Sequence, residues 1–319
     1  MTADHRAERS VRAPTDTDLD SAWETVRERL APTPLVQSAL AGEAWLKLET
    51  FQPTGAFKVR GALAALSALP EGARAVTASA GNHGLGMAYA ASVTGSTVTV
   101  VVSEHASPSK VAALRAYPIE LVQHGRDYDE AEAHALSLAT SGATYVSAYN
   151  DPMVIAGQAT IGRELDEQAP GELTVVTPVG GGGLAAGLAL WARRRGGVRL
   201  VGVEACASRA VSMAIRAGHV APVEVGDTLA DGLAGNIEPG CVTPQVIGAD
   251  TELTCVTEDQ LRAGMRWLFT RHGLVAEGAG AAAVAAVLAG LVRPSGRLVV
   301  LITGRNITPA SYCEALREE

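Results

Sequence analysis

One stretch constrains the fold more than any other. The strand-like run Leu173-Thr174-Val175-Val176 leads into Pro178-Val179-Gly180-Gly181-Gly182-Gly183-Leu184, and an apolar helical stretch follows to Trp191. Four glycines between a strand and a helix leave a loop without Cβ atoms. Its backbone N–H groups can all turn toward one anion, at a helix N-terminus where the dipole favours negative charge. The pattern is not the dinucleotide fingerprint, because no acidic residue follows at the right distance. It is not a P-loop either, because no Gly-Lys-Ser/Thr closes it. A flexible turn is the plainer reading, but four consecutive glycines carry a large entropic cost for a turn alone. A phosphate cradle accounts for them better.

The same alternation runs through the chain. Strand candidates are 45–48, 73–77, 97–102, 173–176, 199–204 and 298–302, with helical stretches between them. Alternating strands and helices imply mostly parallel sheets covered on both faces. The 319 residues suggest about two domains of ordinary size, with no short repeat and no long linker.

Lys58 lies in Glu49-Thr50-Phe51-Gln52-Pro53-Thr54-Gly55-Ala56-Phe57-Lys58-Val59-Arg60-Gly61. The Ala- and Leu-rich residues 59–69 read as a buried helix. Thr54 is its expected N-cap, which places Lys58 near the first turn. Burial and a helix N-terminus both disfavour the ammonium and favour the neutral amine, the form that condenses with a carbonyl. A lysine snorkelling from a core helix to water is the competing local reading.

Two further loops sit at strand ends. Thr77-Ala78-Ser79-Ala80-Gly81-Asn82-His83-Gly84 joins a strand to the helical stretch 85–92. Ser79, Asn82 and His83 beside free N–H groups suit a carboxylate, although an ordinary Ser/Asn cap explains the loop as well. Leu298-Val299-Val300-Leu301-Ile302 runs into Thr303-Gly304-Arg305-Asn306. A hydroxyl at a strand's carboxyl end points to where ligands bind in open α/β sheets.

Composition excludes some classes. The chain is 47% hydrophobic and can bury a large core, while 19% charged residues and a net charge of −8 argue against a nucleic-acid partner. Cys206, Cys241, Cys255 and Cys313 form no C-x-x-C pair and read as free buried thiols in a reducing compartment. Residues 1–18 are polar, lack an apolar signal core and are expected to be a mobile tail. The apolar run 278–292 is too short for a comfortable membrane span and fits a buried Ala-rich helix. The chain is therefore expected to be cytoplasmic, with no membrane partner.

The order of Q-P-T-G-A-F-K, S-A-G-N-H, the tetraglycine loop and T-G-R-N resembles the fold-type II pyridoxal-phosphate enzymes. Within them it resembles the serine/threonine dehydratase (ammonia-lyase) and serine racemase family. The likeness runs from about Leu30 to Asn306 and includes the stretches 151–160 and 228–232. It implies a tryptophan-synthase-β-like α/β fold of two doubly wound, mostly parallel sheet domains. The small domain would be 71–150, inserted into a large domain of 19–70 plus 151–319, with pyridoxal 5'-phosphate in the cleft between them. A homodimer is implied by the family alone.

The resemblance also implies roles. Lys58 would hold the cofactor aldehyde covalently and later take the α-proton of the substrate. Phe57 would pack near the cofactor ring. Gly180, Gly181, Gly182, Gly183 and Leu184 would bind its phosphate. Asn82 would meet the ring hydroxyl oxygen, and Ser79, Asn82 and His83 would clamp the substrate carboxylate. Thr303 corresponds to the Ser/Thr at the pyridine nitrogen. A neutral hydroxyl does not keep that nitrogen protonated as a carboxylate would, so expulsion of a β-leaving group competes better with transamination.

Several positions depart from the family. Ala80 stands where racemases carry a serine as second base, and a methyl group cannot move a proton. Glu204 matches the first carboxylate of a divalent-metal site and Ser208 can offer a carbonyl, but Ala210 replaces the next carboxylate; no metal is expected. A strand-end acid in a surface ion pair is an equal reading of Glu204. Arg305 replaces a glycine and would either read a second acidic group on the substrate or cover the ring edge. Glu277 is a candidate to line the cleft, whereas His124, His134 and His272 read as surface residues. The expected function is a dehydratase that converts a small β-hydroxy amino acid, serine or threonine, to a 2-oxo acid and ammonia. Elimination from 3-hydroxyaspartate or a compatible-solute breakdown intermediate is the alternative. A non-catalytic phosphate-ligand-binding protein is the alternative of another class, and the intact Lys58 argues against it.

Overall fold

The computed structural model describes residues 9–41 and 44–317. The strands are β1 (Leu35–Ser38), β2 (Ala44–Leu48), β3 (Arg74–Ala78), β4 (Thr97–Val102), β5 (Glu120–Gln123), β6 (Ala143–Tyr145), β7 (Leu173–Pro178), β8 (Val198–Ala205), β9 (Glu252–Val256) and β10 (Arg297–Ile302). The helices are α1 (Asp16–Arg29), α2 (Lys58–Ser67), α3 (Asn82–Thr94), α4 (Pro108–Arg115), α5 (Tyr128–Thr140), α6 (Pro152–Gln168), α7 (Gly183–Arg195), α8 (Ala210–Ala217), α9 (Thr243–Ile247), α10 (Glu258–His272), α11 (Gly278–Leu288) and α12 (Pro309–Leu316).

The strands form two sheets. One has the order β1-β2-β10-β7-β8-β9, the other β5-β4-β3-β6. All neighbours are parallel except β1 and β2. The fold is thus the tryptophan-synthase-β-like α/β arrangement, with two parallel sheets wound with helices. All six strand candidates are strands, with ends that differ by no more than two residues. Runs of Val, Leu and Ile buried on both faces give that signal, as in β10, where residues 298–302 are all buried. The Ala-rich helix α11 is buried along residues 278–287. Among the described residues no helix is long and apolar enough to cross a membrane.

A buried ion network lies under α2. Arg60 clasps Glu49 with two bonds of 2.8 Å and reaches Glu164 at 2.6 Å; Lys47 pairs with Glu164 and donates to the Thr33 carbonyl at 2.8 Å. All four charged side chains are within a few per cent of full burial. Such charges are tolerated only when paired and hydrogen-bonded, and losing one partner would strand the others. The network therefore fixes α2 against β2 and α6, and α2 begins at Lys58.

Two expectations are corrected at the chain start and in the large sheet. Part of the segment read as a mobile tail is ordered: α1 begins at Asp16, capped by Thr15, and Arg9 pairs with Glu238 at 3.2 Å. Residues 1–8 of that tail lie outside the described residues. Cys206 and Cys255 form a disulfide rather than free thiols, with Cα atoms 5.0 Å apart. The parallel register of β8 with β9 brings them together, since Ala205 lies opposite Val256. Cys241 is free and buried, Cys313 free and exposed. With one pair joined, the cysteines give no argument for a reducing compartment.

Candidate active site

Lys58 is the first residue of α2, and Thr54 does not cap it. The N-cap is Phe57, without a side-chain cap bond, and the Thr54 hydroxyl donates instead to the Ala56 carbonyl at 3.3 Å. The chain enters the helix from a pairing with the end of β10: Ala56 bridges Gly304, and Phe57 N–H donates to the Thr303 carbonyl at 3.0 Å. Lys58 Nζ donates to the Ala148 carbonyl at 2.7 Å and lies 5.3 Å from the Phe57 ring centre. Loss of hydration pulls the amine down from 10.5 to about 8, and the Glu277 carboxyl offsets part of that fall. An appreciable fraction is thus neutral near neutral pH.

The glycine loop joins β7 to α7, and the protein itself occupies the room its side chains would take. A Cβ on Gly181 would lie 2.4 Å from the Tyr149 ring, and one on Gly183 2.9 Å from Tyr149 Cα. On Gly180 it would meet the Gly232 carbonyl oxygen at 2.8 Å. Gly182 has φ +86°, and a Cβ there would meet Thr243 Oγ1 at 2.7 Å. Thr243 also donates to the Gly181 carbonyl at 2.7 Å. The loop is therefore wedged in place, and this tight packing is what requires glycine. Leu184 behind it is buried. The first N–H groups of α7 have no intrahelical acceptor, and no acidic side chain stands in its first turn. A preformed, positive helix N-terminus without its own anion fits a phosphate, so Gly180–Leu184 and Lys58 fit pyridoxal phosphate.

The S-A-G-N-H loop ends at α3, which starts at Asn82. Ser79 Oγ accepts from Gly81 N–H at 3.2 Å. Asn82 Nδ2 donates to Glu277 Oε1 at 2.7 Å, and Asn82 Oδ1 accepts from Asn306 Nδ2 at 2.7 Å. The His83 ring is only 2% exposed, with Nε2 3.2 Å from the Val146 carbonyl and Nδ1 buried without a partner. Burial, with the nearby Lys58 charge, pulls its pKa to about 3, so the ring is neutral. Glu277 is buried, and burial lifts its carboxyl to about 7 against the opposing pull of the Asn82 hydrogen bond.

Thr303 is buried at the end of β10. Arg305 is exposed; its N–H donates to the Gly55 carbonyl at 3.0 Å, and its side chain makes no ion pair among the described residues. The three loops and Lys58 thus converge at the carboxyl ends of the two sheets.

Other expectations fare differently. Glu204 is 1% exposed and makes no surface ion pair; its Oε1 accepts from the N–H groups of Val211 and Ser212, each at 3.1 Å, and caps α8. That engages the carboxylate in a structural bond. His272 is partly buried and 2.9 Å from the Ser38 hydroxyl, so it is not a free surface residue. His124 and His134 stack at 4.0 Å, His124 exposed and His134 half-buried.

Sequence reasoning missed Ala148, Tyr149 and Thr243. Ala148 acts through a carbonyl that any residue would supply. Tyr149 and Thr243 act by shape from segments distant in sequence, and no motif marks them. Asn306 had a signal, its place in T-G-R-N, but no role was drawn from it.

Comparison with known proteins gives concordant matches. The family model described as "Pyridoxal-phosphate dependent enzyme" matches residues 26–304. The L-threonine ammonia-lyase of Geobacter sulfurreducens is 38% identical over 301 residues, 91% of this chain and 75% of that protein. Among solved structures, a threonine deaminase from T.th. superposes with a TM-score of 0.84 at 34% identity, covering 92% of this chain and 99% of that one. A pyridoxal 5'-phosphate-dependent aspartate racemase superposes with a TM-score of 0.84 at 30% identity, covering 92% and 96%.

Proposed function

Because the chain belongs to the pyridoxal-phosphate-dependent enzyme family, we propose that it is an ammonia-lyase that removes water from a small β-hydroxy amino acid, with threonine or serine as substrate. The observation that carries this is Lys58, a buried amine at a helix N-terminus with a depressed pKa, set among three anion-suited loops. Relatives named for threonine ammonia-lyase or threonine deaminase support the choice of substrate.

When bound, pyridoxal phosphate supplies an aldehyde for covalent attachment and a ring that accepts the electron pair released at the substrate Cα. The residues of this chain do the rest. Gly180–Leu184 would hold the phosphate through N–H groups, the Thr303 hydroxyl would donate to the ring nitrogen, and Phe57 would pack beside the ring. Ser79 and the N–H groups that open α3 bind the substrate carboxylate. The His83 ring, buried against Val146, serves as support, and its contribution to the carboxylate is its backbone N–H. Lys58 takes the α-proton in its neutral form. The proton held by Lys58 would pass to the β-hydroxyl, which leaves as water, and the resulting enamine hydrolyses to a 2-oxo acid and ammonium. Ala80 places no proton carrier on the opposite face, which favours elimination over racemisation. Residues 71–150, which contain the four-stranded sheet, form the small domain in this reading.

Purified protein should be yellow and release 2-oxobutyrate from threonine or pyruvate from serine. Lys58→Ala should lose both the visible absorbance and turnover while remaining folded. A yellow, active Lys58→Ala protein would sink the proposal.

A second substrate reading has its own observation. Arg305 is a cation without an ion-pair partner among the described residues, on the loop that carries Thr303 and Asn306. A guanidinium binds a carboxylate bidentately, so a substrate with a second acid group, such as 3-hydroxyaspartate, would gain from it. A pair with this exposed guanidinium would be worth about 0.2–1 kcal/mol, or up to about fivefold in specificity. The test is the kcat/KM ratio of 3-hydroxyaspartate to serine in wild type and Arg305→Gly; an unchanged ratio removes this reading.

A further inference from the structure

Asn82 is held at both ends of its amide by groups from the other sheet's side of the molecule. Glu277 Oε1 takes one of its N–H bonds at 2.7 Å, and Asn306 Nδ2 donates to its oxygen at 2.7 Å. Asn306 Nδ2 also donates to the Thr54 carbonyl at 2.8 Å. Above its pKa of about 7 Glu277 is a carboxylate, and the two ends of this chain, that carboxylate and a backbone carbonyl, then only accept hydrogen bonds. They therefore force both amides into a single orientation and leave Asn82 with one spare N–H. Glu277 stands at the N-cap position of α11, yet its carboxylate makes no cap bond. It turns instead across Gly304, where a Cβ would come within 2.0 Å of Oε1. A buried carboxylate that forgoes its own helix is expensive, as its lifted pKa of about 7 reflects.

We propose that Glu277 is a positioning residue that acts through Asn82, fixing its amide so that one N–H remains to donate to an acceptor oxygen of the bound ligand. The inference rests on the pyridoxal-phosphate reading above, in which that acceptor is the ring hydroxyl oxygen. Arg305, Thr303 and the glycine loop could all be as described and Glu277 could still be no more than a spacer between α3 and α11, so the test must separate the two.

The cofactor-free protein is titrated with pyridoxal phosphate by absorbance, in wild type, Glu277→Gln, Asn82→Ala and the double variant. Glutamine presents both a donor and an acceptor, so it no longer fixes the Asn82 amide. Glu277→Gln should weaken binding about tenfold or more. In the Asn82→Ala background the same change should cost nothing further. Thermal unfolding of the four cofactor-free proteins supplies the structural control. Unchanged affinity in Glu277→Gln, or losses that add in the double variant, would overturn the inference. Should Glu277→Gln fail to fold, Asn306→Asp repeats the test from the other end. Its added acceptor competes for the Asn82 N–H, and its effect should likewise vanish with Asn82→Ala. A wild-type protein that takes up no pyridoxal phosphate would overturn the family reading and this inference together.

Discussion

The depressed pKa of Lys58 can be measured without any cofactor, because lysine is scarce in this chain. It occurs only at positions 47, 58 and 110, and arginine supplies the other cations. Lys47 is fully buried in its pair with Glu164, whereas Lys110 is on the surface. With Lys58 at about 8 rather than 10.5, about a tenth of it is neutral at pH 7. An unshifted amine would be neutral to about three parts in ten thousand. The sign follows from burial, which penalises the charged form, so the neutral amine appears at lower pH. The cofactor-free protein is exposed briefly to an amine-acylating reagent from pH 6 to 11, and each lysine peptide is quantified by mass spectrometry. Lys58 labelling should rise with a midpoint near 8, well below the 10.5 of an ordinary lysine, and Lys47 should stay unlabelled in the folded protein. Glu277→Gln should move the Lys58 midpoint lower still, because the negative charge of Glu277 favours the ammonium. A Lys58 midpoint at or above 10.5 would refute the argument that burial prepares this amine for attack on a carbonyl.

Other outcomes follow from particular residues. Incubation with L-serine should give pyruvate and almost no D-serine by chiral analysis, because Ala80 cannot carry a proton on the second face; substantial racemisation would contradict this. Exhaustive chelation should leave activity near its starting value, since Glu204 is engaged in capping α8 and Ala210 offers no carboxylate; full loss restored by magnesium or calcium would mean that other groups form a cation site. Thiol titration of the unreduced, denatured protein should count two thiols, from Cys241 and Cys313, and four would disprove the Cys206–Cys255 pair. Replacing both paired cysteines by alanine should lower stability by up to about 4 kcal/mol on the loop-entropy account, read as a shift in denaturant midpoint.

What could be read in the sequence shares one property: the residue type itself is demanded by chemistry or backbone geometry. Lys58 stood out because a lysine at the head of an apolar helix needs a reason, and the glycine loop because four consecutive glycines cost too much entropy for a turn alone. The strands were legible because residues such as 298–302 are apolar on both faces. What could not be read acts through properties that any sequence has. Ala148 meets Lys58 with a backbone carbonyl. Tyr149 and Thr243 fill space against glycines that lie about thirty residues or more away, and the contact exists only once β7, α7 and α9 have packed. Cys206 and Cys255 needed the register of β8 on β9, which spacing does not carry. Thr54 misled because a hydroxyl near a helix start suggests a cap, but the pairing of Ala56 with Gly304 sets the entry into α2 and leaves that hydroxyl to the Ala56 carbonyl. The distinction carries a functional consequence. Positions legible by chemistry, such as Lys58, or by resemblance, such as Ala80, should change what reaction occurs when they are altered. Positions legible only in the fold, such as Tyr149 and Thr243, should change how firmly the site is held, with effects that depend on the neighbour each one supports.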